Sequence, residues 1–144
     1  MKLKYLIPAL LCSSLLYAAG GHHTLTVEAK GFKNNEGEVQ FSLYNKDGSI
    51  PDKKLNQYFK MKRVHVKNGK AKAIFTDLPS GKYAVSLYHD ENNNHKIDKG
   101  MMLPEEGVGL TNFKTINFFN VPNFKAASFT LNKNSDIKMD VIYF

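Results

Sequence analysis

The chain is short of the residues that most often announce a chemistry. Among 144 residues it holds one cysteine and no tryptophan, and its single arginine is Arg63. Cys12 lies in an N-terminal apolar stretch, so the rest of the chain has no disulfide, thiolate metal site or thiol nucleophile. Proteins that read nucleic acid lean on arginine for base contacts; the basic excess here is lysine, and nucleic acid is not expected as a partner. No apolar run reaches the roughly 20 residues of a membrane-spanning helix. Phosphate loops and zinc-type spacings are absent, and Ser80 and Ser86 have no general base that sequence spacing identifies. The chain is therefore not expected to be an enzyme.

What is present begins with an export pattern. Lys2 and Lys4 precede an apolar run from Leu6 to Leu16, and Ala18-Ala19-Gly20 then offers small residues for cleavage. Leu11, before Cys12, stands where a lipoprotein signal wants a small residue. Residues 1–20 are thus expected to be a signal peptide and residues 21–144 one domain of a periplasmic or secreted protein, with no integral membrane segment left after cleavage. Without Lys2 and Lys4, the 20 basic residues become 18 against 13 acidic ones, a net charge of +5. Such an excess is either a solvated surface or an attraction for anionic glycans and headgroups.

Beyond residue 21 the apolar period is two. Leu25, Val27 and Ala29 alternate with polar neighbours, as do Val39, Phe41 and Leu43, and then Ala71, Ala73 and Phe75. Met61 to Val66 is a weaker strand whose alternation slips near Arg63, where a bulge is expected. Asn68-Gly69 carries the signal of a two-residue hairpin turn, since both positions tolerate positive φ. Tyr83, Val85 and Leu87 alternate with Ala84, Ser86 and Tyr88; neither face is charged, so this strand is expected at the centre of a sheet. Two further strands read at Ala127–Leu131 and Ile137–Tyr143, and no helix is convincing. The expected fold is all-β: one seven-stranded antiparallel β-sandwich, transthyretin-like or immunoglobulin-like. A small outer-membrane β-barrel is the structural alternative, disfavoured by the odd strand number.

Two motifs carry a resemblance. Asp77-Leu78-Pro79-Ser80-Gly81-Lys82-Tyr83 resembles the inter-strand turn of transthyretin-like (prealbumin-like) domains. The order Tyr88-His89-Asp90-Glu91-Asn92-Asn93-Asn94-His95-Lys96-Ile97-Asp98, Pro104-Glu105-Glu106-Gly107-Val108-Gly109, Pro122-Asn123-Phe124 and Ala127-Ser128-Phe129 is similar to the bacterial secreted family known as domain-of-unknown-function family 2141. The resemblance spans essentially the whole chain after residue 20. It implies an exported β-sandwich and supplies no activity. Where the family's acidic loop carries glycine after its third ligand, this chain has His95.

Three constellations are candidate sites. Asp90, Asn92, Asn94 and Asp98 fall at positions 1, 3, 5 and 9 of an EF-hand-like calcium loop, with the Lys96 carbonyl at position 7. Calcium wants about six to eight oxygens, and alternate residues of a tight loop can aim several at one centre. Position 6 is His95 rather than glycine and position 12 is Met101 rather than glutamate, so Glu105 or Glu106 would have to fold back. The competing reading is a polar turn whose Asp and Asn side chains cap backbone amides. Second, cleavage after Ala19 or Gly20 would put His22 or His23 third from a free amine, a nitrogen set for copper or nickel. A metal-handling protein using these histidines, with His89 and His95, is the runner-up function. Third, Phe113, Phe118, Phe119 and Phe124 lie among asparagines, which suits either a platform for glycan or peptide or a cover for one end of the sandwich. The leading expectation is a non-enzymatic binding or structural module, with calcium as candidate cofactor and a glycan, peptide or envelope protein as candidate partner.

Overall fold

Alternation decides which strand faces point inward. In β1 (His22–Lys30), Leu25, Val27 and Ala29 are fully buried, while Thr24, Thr26 and Glu28 face outward. The computed structural model describes residues 20–101, 103–117 and 119–144. The signal-peptide and Cys12 expectations therefore lie almost wholly outside the described residues. The elements that follow are β2 (Glu38–Tyr44), β3 (Lys60–His65), β4 (Lys70–Pro79), β5 (Gly81–Asp90), β6 (Val108–Leu110), α1 (Phe124–Ala127), β7 (Phe129–Leu131) and β8 (Ser135–Asp140).

These strands form two open sheets, one in the order β4-β1-β8 and the other β3-β2-β5-β6, with β7 pairing the start of β5. The fold is the expected all-β sandwich, with eight strands rather than seven. The extra strand, β6, comes from the 100–123 segment, which sequence alone reads as a loop. The sheets are open, so the described strands do not close into the barrel held as an alternative. No helix among the described residues is long and apolar enough to cross a membrane.

Three further details correct the sequence reading. The pairing of β1 with β8 is parallel, so the sandwich is not wholly antiparallel. The β2–β3 register runs unbroken through Arg63, and the irregularity falls instead between His23 and Leu25 where β1 meets β4. Asn68 and Gly69 do adopt positive φ, 52° and 71°, and Lys67 and Lys70 exchange backbone hydrogen bonds around them. The hairpin stops there, because β3 and β4 enter different sheets.

The main core lies between the sheets. Phe41, Phe75, Tyr83, Val85 and Leu87 are buried in it with Leu131 and Met139, and Phe129 and Val141 pack against its margin. β5 is central as expected, flanked by β2 on one side and by β6 and β7 on the other. Its outer face is covered too: Tyr44, Ala84 and Leu110 meet Ile50, Phe124 and Ala127 in a second apolar cluster. Here Asn123 caps the four-residue α1, its side chain accepting from the Ala126 N–H. A strand buried on both faces makes a rigid base for whatever its end carries.

Candidate functional site

β5 ends in Asp90, which is 1% exposed although it is a carboxylate. Its burial is compensated locally: Oδ1 accepts from the Asn94 N–H at 3.1 Å and Oδ2 from the His95 N–H at 2.8 Å. Those two amides face back because the chain turns sharply, with Asn93 and His95 at φ 56° and 63°. His95 thus takes the left-handed conformation that glycine normally supplies at position 6. The departure from glycine costs strain but does not abolish the turn. Asn94 donates to Asp98 Oδ1 and Oδ2 at 2.8 and 3.0 Å, and Asn92 donates to Oδ2 at 2.7 Å. The Oδ1 atoms of Asn92 and Asn94 accept from the backbone of Asn94 and Lys96. The loop therefore gathers Asp90, Asn92, Asn94, Lys96 and Asp98, with side-chain amides set against the Asp98 carboxylate.

The residue that completes this arrangement comes from the next segment. Met101, at position 12, is fully exposed and contributes nothing. Glu106 instead folds back, as the sequence reading required of it or Glu105. It is 4% exposed, and its Oε2 accepts from the Asp98 N–H at 3.2 Å. Its Oε1 is buried with no hydrogen-bond partner. Desolvation pushes the Glu106 carboxyl up to about 7, and the nearby charges of Asp90, Asp98 and Glu91 push the same way against the Asp98 N–H. A buried carboxylate with an orphaned oxygen, crowded by other carboxylates, is an arrangement short of one positive charge. Among the described residues no three histidine, cysteine, aspartate or glutamate side chains stand together closely enough to hold a metal ion. Asp90 and Asp98 each accept N–H donors from within the loop instead.

The base of the loop is tightly built. Gly37 has φ 63°, and a Cβ there would overlap the Asp90 carbonyl. His89, fully buried, donates from Nε2 to the Glu36 carbonyl at 2.7 Å, and its Nδ1 lies 2.9 Å from the Tyr143 hydroxyl. With both ring nitrogens engaged and the Phe32 ring edge-on at 5.1 Å, His89 ties the 33–37 turn to the C-terminal segment. His95 is exposed on the loop.

The other candidate residues are scattered. His22 and His23 sit in β1 opposite Pro79 and Leu78. His22 Nδ1 is 2.6 Å from Asp77 Oδ1, and His23 Nε2 is 2.7 Å from Ser80 Oγ. A copper set built on the terminal amine would have to detach this end of the strand from β4. The Ser80–His23 contact was invisible in sequence because 57 residues separate the two. Asp77 pairs with the other histidine, so the three do not form a relay. Of the aromatic candidates, Phe124 is buried in the second cluster, Phe113 packs partly against it, and Phe119 is fully exposed. Phe118 lies outside the described residues. Phe124 is thus core rather than platform, which corrects the idea of one shared aromatic surface.

Fold and site together define a β-sandwich module with an acidic loop at the end of its central strand. The family described as "Uncharacterized protein conserved in bacteria (DUF2141)" matches residues 27–138, and the chain belongs to it. No curated protein and no solved structure matches the chain.

Proposed function

We propose that this protein is an exported, non-enzymatic β-sandwich module, periplasmic or secreted, whose Asp90–Asp98 loop takes up calcium with Glu106 as the added carboxylate. The observation that carries the reading is the buried Glu106 oxygen without a partner, set against Asp90 and Asp98. Asp90, Asp98 and Glu106 supply charge, the Asn92 and Asn94 side chains and the Lys96 carbonyl supply neutral oxygens, and that donor set suits a hard cation. Turning the two amides over presents their oxygens in place of their N–H groups. Bound calcium neutralises the carboxylates and ties the 98–106 segment to the end of β5. Export rests on the basic, apolar and small-residue pattern of the first twenty residues.

Thermal melting in chelator and in calcium tests the calcium reading. A ligand that binds only the native state at about 100 times its dissociation constant adds roughly 2.7 kcal/mol. The melting temperature of the native protein should rise, and Asp90→Ala and Glu106→Gln should each suppress the rise. An unchanged melting temperature at about 10 mM calcium, ten times the weak end of the extracellular range, would leave the loop as a capped turn. A copper(II) arm in the same panel tests the terminal histidines separately, with the His22→Ala, His23→Ala double variant as control.

A further inference from the structure

The edge of β8 is open, and its backbone is arranged to receive another strand. The Val141 N–H donates to the Lys30 carbonyl on the β1 side, whereas Ile142 exchanges two backbone hydrogen bonds with Val108 on the other side. Backbone groups alternate along a strand. Asp140, Lys138 and Asp136 therefore direct their N–H and C=O groups the same way as Ile142, away from β1. Past the Val108–Ile142 bridge the Asp140 carbonyl still lies against Gly109 of β6, whereas among the described residues no backbone pairs with the outward groups of Lys138 and Asp136.

The splay leaves a groove of about 450 Å³ between β8 and the 110–114 segment. Leu110, Phe113, Phe129 and Ile137 line it with apolar surface. Along its rim the exposed side chains of β8 read Asp136, Lys138, Asp140. Asp140 is 3.7 Å from Lys30, but Asp136 and Lys138 form no ion pair among the described residues. Glu28, opposite Lys138 in register, is drawn instead to Lys70 and Lys72.

We infer that the β8 edge binds an extended peptide by strand addition, with basic, acidic and basic residues at alternate positions and apolar residues between them. Only another backbone presents donors and acceptors at the spacing β8 leaves free. The alternating charge on β8 then selects the opposite sequence of charges, because directly opposed unlike charges stabilise a strand pair and like charges oppose it. The intervening side chains point to the other face, over Phe113 and Phe129. Because the charge pattern is palindromic, it fits in either strand direction. The Asp90–Asp98 loop takes no part in this edge.

The probe is the blocked peptide acetyl-Lys-Val-Glu-Val-Lys-amide, titrated into the full-length exported protein and followed by backbone amide chemical shifts. Saturable shifts should centre on residues 110–114 and 135–140, with affinity at least tenfold above that for acetyl-Asp-Val-Lys-Val-Asp-amide. N-methylation of alternate peptide amides should abolish binding, and Lys138→Glu should move the preference to a peptide with lysine at its centre. Asp90→Ala, measured alongside, should bind the peptide as the native protein does, which keeps this result separate from the calcium one. Equal affinity for the two charge patterns, or shifts elsewhere on the sandwich, would overturn the inference. So would concentration-dependent dimerisation through β8, since the occupant would then be a second copy of this chain.

Discussion

Replacing Glu106 by glutamine gives a quantitative test of the acidic loop. The folded protein holds the Glu106 carboxyl at about 7, against an ordinary value of 4.5, chiefly because burial disfavours its charged form. A group raised on folding contributes stability that is fully present below its unfolded value and lost as pH rises through its folded value. Calcium-free protein should therefore lose stability between pH about 4.5 and about 7. At about 1.36 kcal/mol for each pK unit, the full displacement corresponds to roughly 3 kcal/mol, an upper bound because loop relaxation and water entry reduce it. Glutamine keeps the shape of the side chain and cannot ionise. Urea unfolding of both proteins in chelator, at intervals from pH 4.5 to 8, isolates this one group, because every other titration is common to the pair. The variant should match the native protein at the acid end and exceed it by about 1–3 kcal/mol at pH 8. With calcium present the order at pH 8 should reverse, since the variant has lost a ligand. A stability difference that stays flat across this pH range would refute the account of Glu106.

Two packing predictions accompany it. Leu87 is 3% exposed in the main core, so Leu87→Ala should cost about 2–5 kcal/mol in chemical denaturation, with unchanged strand content by circular dichroism. Gly37→Ala should cost at least about 2 kcal/mol, because alanine at positive φ is strained and its Cβ would meet the Asp90 carbonyl. The same variant should blunt the calcium-induced rise in melting temperature, whereas Leu87→Ala should leave that rise intact.

Strands whose side chains alternate between core and solvent were legible along the chain. Leu25, Val27 and Ala29 could face inward together only in an extended chain, and the same holds for Val39, Phe41 and Leu43. The uncharged faces of β5 placed it centrally, since any edge position would expose Tyr83 or Tyr88. Local turn chemistry was equally legible at Asn68-Gly69 and in the loop positions Asp90, Asn92, Asn94 and Asp98, because these depend on neighbours a few residues apart.

Tertiary structure alone decided the rest. β6 is only three residues long and includes Gly109, so its strand character comes from the free edge of β5 rather than from its own pattern. The parallel pairing of β8 with β1, and the parting of β3 and β4 after a sound hairpin turn, follow from which apolar faces had to meet across the sandwich. Phe124 carried no local sign that it would fill the second cluster instead of standing exposed like Phe119. Glu106 was one of two adjacent acids until the 98–106 chain folded back; burial at 4% exposure then gave it a raised pKa while leaving Glu105 exposed. Period and turn propensity act over a few residues and can be read in a line, whereas desolvation and strand partnership depend on contacts that exist only once distant segments have packed.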